Sequence, residues 1–160
     1  MLFAAGLGTR LKPFTDSAPK ALAEVNNKTL LEHSIRYLQR FGIYEVIVNV
    51  HHFAGKIEEV LAEQDGFGSE ITISDERDEL LETGGGLRKA APFFAGASDF
   101  VVLNVDILTN LDLGKLMAAH LSSGSLATLA VMQRQSSRYL LCDAEMRLCG
   151  WTNSVTGELK

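Results

Sequence analysis

A glycine loop directly follows the first apolar stretch of this chain. Residues 1–5 are apolar, with Leu2 and Phe3 predicted to end a buried strand, and Gly6-Leu7-Gly8-Thr9-Arg10 comes next. Glycines let the backbone turn tightly and present its N–H groups with no Cβ in the way. Arg10 and, ten residues later, Lys20 add a planar guanidinium fork and a mobile point charge, both suited to phosphate oxygens. The combination predicts a polyphosphate site; the alternative is an ordinary turn between strand and helix with scattered surface charge.

Two other phosphate-binding loops are excluded by the residues around Gly8. A P-loop ends in Gly-Lys-Ser/Thr, whereas Gly8 is followed by Thr9-Arg10. The dinucleotide fingerprint needs a third glycine where this chain has Leu11, with a helix beginning at once. Pro13 and Pro19 interrupt that segment, so residues 11–19 are predicted to form an extended loop that lies over the ligand and delivers Lys20.

Strand and helix patterns alternate along the chain. Thr29-Leu30-Leu31-Glu32 has the capping-box spacing, and apolar residues recur with helical period from Leu30 to Phe41, before Gly42. Further helices are predicted at residues 54–64, 85–91 and 113–121, strands at 43–50, 70–74, 100–105 and 126–132, and a β-hairpin over 139–151. The alternation predicts a Rossmann-like α/β fold: a mostly parallel central sheet with helices on both faces and a C-terminal hairpin.

Four separate segments are predicted to meet at one edge of that sheet. They are the glycine loop, His51, the segment beginning at Glu82, and Asp106, each of which follows a predicted strand. Ligands of open α/β sheets bind beyond the carboxyl ends of the strands. The convergence predicts a ligand site there.

Asp106 ends the apolar strand in Asn104-Val105-Asp106 and is a candidate metal ligand. Mg²⁺ takes one or two carboxylates together with phosphate oxygens and water. A bound triphosphate would therefore find its Mg²⁺ at Asp106. The alternative is an aspartate that caps the following loop, although Asp112 is the closer candidate to cap the next helix.

The segment Glu82-Thr83-Gly84-Gly85-Gly86 follows another strand. Successive glycines allow a flat group such as a base or ribose to approach the backbone, and N–H groups at a helix start are free to donate. The alternative is a plain glycine-rich loop.

Composition narrows the class of protein. The net charge is −5 and the pI about 5.3, which argues against a general nucleic-acid binder. No apolar run approaches the length of a membrane span, and the N-terminus lacks the pattern of a signal peptide. Cys142 and Cys149 do not form a disulfide framework; buried free thiols are expected, with a pairing across the hairpin as the alternative. We therefore expect a cytoplasmic protein of 160 residues with a single domain, without nucleic-acid or membrane partners, and homo-oligomerisation is left open.

The N-terminal segment resembles the signature of the sugar-1-phosphate nucleotidyltransferases. This resemblance rests on Phe3-Ala4-Ala5-Gly6-Leu7-Gly8-Thr9-Arg10-Leu11-Lys12-Pro13-Phe14-Thr15 and on Ala18-Pro19-Lys20-Ala21-Leu22. The later Leu81-Glu82-Thr83-Gly84-Gly85-Gly86 is most similar to N-acetylmuramate-1-phosphate uridylyltransferases and to mannose- or heptose-1-phosphate guanylyltransferases. The resemblance covers residues 1 to about 135. It implies the nucleotidyltransferase version of the Rossmann-like fold.

The resemblance also implies roles for individual residues. Arg10, Lys20 and Asp106 are the implied catalytic residues, with Mg²⁺ held by Asp106 and by a second aspartate far downstream. Val105 departs from the glycine that is frequent at this position. The residues expected to bind nucleotide are Ala4, Ala5, Gly6, Gly8, Thr9, Arg10, Lys20, Glu82, Thr83, Gly84 and Asn104.

The reaction that these parts imply is attack by a sugar 1-phosphate on the α-phosphorus of a nucleoside triphosphate, UTP or GTP being favoured. Arg10 would hold the β- and γ-phosphates, Lys20 would bridge the α-phosphate and the incoming phosphate, and Mg²⁺ on Asp106 would clamp the α- and β-oxygens. The attacking phosphate is already anionic, so no general base is needed. Two alternatives stay open: a cytidylyltransferase for a non-sugar phosphate, and a catalytically silent nucleotide-sensing domain.

The remaining conspicuous side chains are weaker candidates. His51-His52 is expected to be structural, and the acidic stretch 75–82 is expected to be a solvated loop rather than a cation site. Asn153 is a candidate sugar contact by resemblance. The chain ends after Thr156-Gly157-Glu158, which reads as a turn between strands, so we expect a nucleotidyltransferase domain truncated at its C-terminal end, with weak nucleotide binding and poor turnover on its own.

Overall fold

The structure is a computed structural model that describes all 160 residues. They divide into two compact units, residues 1–114 and residues 115–160. The elements in chain order are β1 (Leu2–Phe3), β2 (Glu24–Val25), β3 (Lys28–Thr29), α1 (Leu30–Gln39), β4 (Glu45–Val50), α2 (Ala54–Glu63), β5 (Glu70–Asp75), α3 (Glu82–Ala90), β6 (Leu103–Asn104), α4 (Leu113–Ser123), β7 (Arg138–Cys142) and β8 (Leu148–Asn153).

The first unit is built around a parallel sheet with the strand order β5-β4-β1-β6. The longest pairing joins β4 to β5 over six residues, from Glu45 opposite Glu70 to Val50 opposite Asp75. Because all four strands run in the same direction, their carboxyl ends lie along one edge. The predicted parallel α/β architecture is confirmed.

Both faces of the sheet are covered. Successive residues of a strand point to opposite faces. Ile47 packs with Met1 and Ala90 on the face that carries α3, whereas Val46 and Val48 point to the other face and are also fully buried. Burial on both sides explains why β4 reads as a nearly continuous apolar run.

Helix α1 begins as its sequence predicts. The hydroxyl of Thr29 accepts a hydrogen bond from the N–H of Glu32 at 3.1 Å, which satisfies one of the free donors of the first turn. Hydrogen bonds from Arg36 and Lys28 hold the pKa of Glu32 below its usual value. After the helix, Gly42 adopts a φ of +77°, the left-handed conformation that terminates many helices.

The segment 11–19 is more folded than predicted. Instead of one extended loop it contains short 3-10 turns at Thr9–Leu11 and Phe14–Asp16, followed by a third at Lys20–Leu22. The hydroxyl of Thr15, which is buried, donates to the carbonyl of Gly8 at 3.0 Å. That contact draws the segment against the glycine loop.

Two predicted strands differ in the structure. The strand predicted at 100–105 is reduced to the two residues of β6, because β6 pairs only with β1 and β1 offers only two residues. The strand predicted at 126–132 is absent: these residues belong to no ladder, and Leu126 is fully exposed. An apolar stretch needs a neighbouring strand to satisfy its backbone, so its composition alone does not produce one.

The second unit contains the predicted C-terminal hairpin. Strands β7 and β8 pair antiparallel from Arg138 opposite Asn153, with an irregularity between Leu141 and Cys142. The expectation of buried thiols is wrong, because Cys142 and Cys149 are both exposed and unpaired on this hairpin, which has too little packed against it to bury them. No helix in the structure is both long and apolar enough to cross a bilayer.

Candidate active site

A cavity of about 350 Å³ opens at the carboxyl edge of the sheet in the first unit. This volume lies within the range of pockets that hold small ligands. The lining residues come from every segment predicted to converge there except His51: Phe3, Ala4, Ala5, Gly6, Leu7, Gly8, Thr9, Arg10, Leu11, Lys20, Asn49, Glu76, Leu80, Glu82, Thr83, Asn104, Val105 and Asp106. All the predicted site residues except Gly84 are therefore in one cavity.

The glycine loop forms one wall of this cavity and is held by its own backbone. Gly8 has a φ of +64°, and its carbonyl accepts from the N–H of Leu11 at 2.8 Å as well as from Thr15. A Cβ at Gly8 would lie 2.8 Å from Cγ2 of Thr15 and 3.1 Å from Cβ of Lys20. Glycine is thus required here by both conformation and space.

A cation and an anion meet beside the glycine loop. Nζ of Lys20 donates a hydrogen bond to Oδ2 of Asp106, although the two residues are 86 positions apart. Their side chains are 22% and 32% exposed, so the pair is partly shielded from water and still accessible to a ligand. Arg10 lies at the cavity wall, exposed and outside the ion pairs of the structure.

The first turn of α3 forms a further wall. The helix begins at Glu82, three residues before its predicted start, and Glu82 has a φ of +57°. Because the first N–H groups of a helix have no partner within the helix, those of residues 82–84 are suited to donate hydrogen bonds to a polar ligand group. Glu82 and Thr83 line the cavity together with Leu80, whereas Gly84 does not.

Two buried polar residues at the floor of the cavity are not among the predicted site residues. Asn49 interrupts the apolar run of β4, a signal that could have identified it. Glu76 is fully buried, so the interpretation of the whole acidic stretch 75–82 as solvated is wrong for this residue. The two are joined by a hydrogen bond from Nδ2 of Asn49 to Oε1 of Glu76 at 2.8 Å.

The other weak candidates lie outside the cavity. Nδ1 of His51 is 2.6 Å from the carbonyl of Glu76, a contact that supports the expected structural role. Asn153 belongs to the second unit, where its side-chain oxygen accepts from the N–H groups of Val155 and Thr156 and thereby stabilises a turn. No group of three or more acidic, histidine or cysteine side chains is arranged to hold a metal.

Comparison with known proteins decides the family. Residues 1–142 match the nucleotidyl transferase family over most of the chain. The chain belongs to the nucleotidyl transferase family. This confirms the resemblance seen in the N-terminal signature and places the glycine loop, Lys20 and Asp106 within the matched region.

Individual members of this family are similar over large parts of the chain. N-acetylmuramate alpha-1-phosphate uridylyltransferase of Caulobacter vibrioides is 44% identical over 108 residues, which cover 66% of this chain and 44% of the relative. Mannose-1-phosphate guanyltransferase of Gibberella zeae is 35% identical over 142 residues, which cover 87% of this chain and 39% of the relative. The chain thus spans less than half the length of these curated relatives.

Solved structures confirm the fold of this nucleotidyl transferase family member. HddC from Yersinia pseudotuberculosis, solved as a complex with GMP-PN, superposes with a TM-score of 0.75 at 23% identity, covering 99% of this chain and 69% of that one. At this identity the likeness establishes the fold alone.

Proposed function

We propose that this protein is a sugar-1-phosphate nucleotidyltransferase that converts a nucleoside triphosphate and a sugar 1-phosphate into a nucleoside-diphosphate sugar and pyrophosphate. The observation that carries the proposal is the meeting of Lys20 and Asp106 beside the glycine loop. Such a cavity offers a cation, a carboxylate and a tight backbone loop within reach of one polyphosphate. The named relatives support the reaction class, since both are uridylyl- or guanylyltransferases of sugar 1-phosphates.

The residues of this chain would act by positioning and by neutralising charge. An oxygen of the sugar 1-phosphate forms a bond to the α-phosphorus while the bond from that phosphorus to the bridging oxygen breaks, and the electron pair leaves with pyrophosphate. Arg10 would hold the β- and γ-phosphates through its planar fork. The ammonium of Lys20 has three donors, of which the bond to Asp106 uses one, so two remain for the α-phosphate and the incoming phosphate.

The site fits a magnesium ion that is delivered with the nucleotide. Asp106 supplies one carboxylate oxygen at the cavity, and Mg²⁺ commonly completes its coordination with phosphate oxygens and water. Bound there, the ion would neutralise charge on the α- and β-phosphate oxygens.

The base and ribose would lie against the first turn of α3, where Glu82 and Thr83 line the cavity. UTP and GTP are the favoured nucleotides, because the relatives named above use uridylyl or guanylyl groups. We further propose one nucleotidyltransferase domain, since the family match continues across residue 114. A cytoplasmic location is supported by two exposed cysteines that form no disulfide.

A panel assay tests this function. Pyrophosphate release is measured on the purified protein with UTP, GTP, CTP and dTTP, each with a series of sugar 1-phosphates and with phosphocholine, while calorimetry measures nucleotide binding in parallel. Release that depends on a sugar 1-phosphate and on Mg²⁺ is the expected result. Release only with CTP and phosphocholine would move the protein to the cytidylyltransferase alternative, and binding without release would favour a sensor. Absence of both binding and release would refute the proposal.

A further inference from the structure

A buried polar network forms the floor of the cavity. Glu76 is 0% exposed and Asn49 is 2% exposed, and both line the cavity from beneath. A carboxylate removed from water is costly unless hydrogen bonds compensate it. The hydrogen bonds that compensate this buried pair therefore show which parts of the cavity wall the pair is attached to.

One arm of the network reaches the glycine loop. Oδ1 of Asn49 accepts hydrogen bonds from the N–H of Ala4 at 2.7 Å and of Ala5 at 3.3 Å, at the point where the chain leaves β1. Nδ2 of Asn49 donates to Oε1 of Glu76. Both oxygens of Glu76 accept hydrogen bonds in the structure, so the bond from Nδ2 fixes the orientation of the amide and keeps Oδ1 turned towards the loop.

The other arm reaches the start of α3. Oε2 of Glu76 accepts from the N–H of Leu81 at 3.4 Å, one residue before the helix begins. A Cβ at Gly86 would lie 2.6 Å from Oε1 of Glu76 and 3.1 Å from Nδ2 of Asn49. The helix backbone is thus packed directly on the network, and only glycine leaves room for it.

We infer that Glu76 is a positioning residue, which holds the glycine loop and the first turn of α3 in one fixed relation through Asn49 and Leu81. The inference rests on the proposed function, because it concerns the two walls that would hold the phosphates and the base. A preorganised site avoids the ordering cost that a mobile loop pays on binding. Glu76 acts without touching the reacting atoms.

The variant Glu76→Gln tests this role because a glutamine cannot satisfy both arms. If its oxygen accepts from Asn49, its NH₂ group faces the N–H of Leu81, and the reverse orientation sets two donors against each other at Asn49. The double variant Asn49→Asp/Glu76→Gln removes the conflict. The introduced aspartate accepts from Ala4, Ala5 and the new NH₂ group, while the glutamine oxygen accepts from Leu81. The net charge of the pair is then the same as in the natural protein.

Two quantities are measured for each variant: its affinity for UTP and GTP, by calorimetry, and its unfolding temperature. All binding measurements are made well below the unfolding temperature of the variant concerned. Glu76→Gln should weaken nucleotide binding by about tenfold, the order expected for one unsatisfied buried donor, and the double variant should return to within about threefold of the natural protein. Glu79→Gln, which removes the same charge from an exposed position of the same segment, should change neither quantity.

If Glu76 had a purely structural role, Glu76→Gln would have a lower unfolding temperature and an unchanged nucleotide affinity, and that outcome overturns the inference. A double variant that folds but does not recover nucleotide affinity also overturns it. If Glu76→Gln does not fold, the nucleotide affinity of Gly86→Ala tests the inference instead. The added methyl group displaces the carboxylate of Glu76, while alanine favours the helix more than glycine does. Gly86→Ala with unchanged affinity also overturns the inference. If the natural protein binds no nucleotide, the proposed function itself is refuted, and the positioning role of Glu76 is refuted together with it.

Discussion

Alanine at position 8 would put a methyl group into space that two other residues already occupy. The added Cβ would lie 2.8 Å from Cγ2 of Thr15 and 3.1 Å from Cβ of Lys20. Thr15 is buried and bonded to the carbonyl of Gly8, and the Cβ of Lys20 is fixed to its backbone, so neither can move aside freely. The φ of +64° at Gly8 adds a conformation that alanine disfavours.

Both contributions can be given a magnitude. A non-glycine residue in the left-handed region costs about 1–2 kcal/mol, and forcing a methyl group into occupied space costs about 1–3 kcal/mol. Gly8→Ala should therefore lower the free energy of unfolding by about 2–5 kcal/mol. Because domains of this kind are stable by only about 5–15 kcal/mol, the loss would be a large fraction of the total.

Two other glycines provide matched controls. Gly42 also has a positive φ, +77°, but nothing lies within 4 Å of its added Cβ, so Gly42→Ala should lose only the backbone contribution. Gly6 has neither a left-handed φ nor a neighbour within 4 Å, so Gly6→Ala should stay within about 1 kcal/mol of the natural protein. The methyl group of the Gly6→Ala variant would instead lie beside the cavity that Gly6 lines and would weaken nucleotide binding.

Urea denaturation gives the three free energies, and calorimetry gives the nucleotide affinities. Gly8→Ala should lose the most stability, Gly42→Ala less and Gly6→Ala the least. Gly6→Ala should in addition lose nucleotide affinity. A Gly8→Ala protein no less stable than Gly42→Ala would refute the reasoning from packing. A Gly6→Ala protein that loses stability in proportion to affinity would refute the separation of fold from site.

Three further predictions concern single side chains. Lys20→Ala should lower the rate of pyrophosphate release by about 100- to 1000-fold with little change in unfolding temperature, because the charge acts on the phosphates; retained activity would contradict the assigned role. Asp106→Asn should raise the Mg²⁺ concentration needed for half-maximal activity, since it removes the anionic ligand; an unchanged titration would place the metal elsewhere. Thr29→Ala should cost about 1 kcal/mol in urea denaturation by removing the cap of α1, and an unchanged midpoint would show that the cap is replaceable.

Elements with a local signal were predictable to within a few residues. Helix α1 has a capping residue, an apolar period and a terminal glycine, and all three act through neighbours in the sequence. Strands β4 and β5 were likewise predicted within two residues of their observed bounds, β4 from the continuous apolar run that burial on both faces requires and β5 from its alternation of apolar and polar residues. The length of β6 and the missing strand at 126–132 were not predictable, since a strand extends only as far as its partner.

Some features of the candidate site were likewise predictable from the sequence, and others were not. The convergence of the glycine loop, the segment at Glu82 and Asp106 followed from the rule that parallel strands share one carboxyl edge, and Lys20 was predicted to be delivered there by the segment 11–19. The burial of Glu76 did not follow, because an acidic residue among acidic neighbours carries no local sign of being enclosed. The exclusion of Gly84 from the cavity depends on the early start of α3 at Glu82.

The sequence by itself determined the chemistry of this protein. Two glycines after a strand, two cations and a strand-terminal aspartate are residue types suited to a polyphosphate and its metal ion, and their spacing alone predicts such a site. The tertiary structure alone decided how these parts are held. The strand order places β4 between β5 and β1, so Asn49 lies between Glu76, which follows β5, and Ala4, which follows β1. That neighbourhood arises from strand pairing over long separations, and no local pattern of residues encodes it.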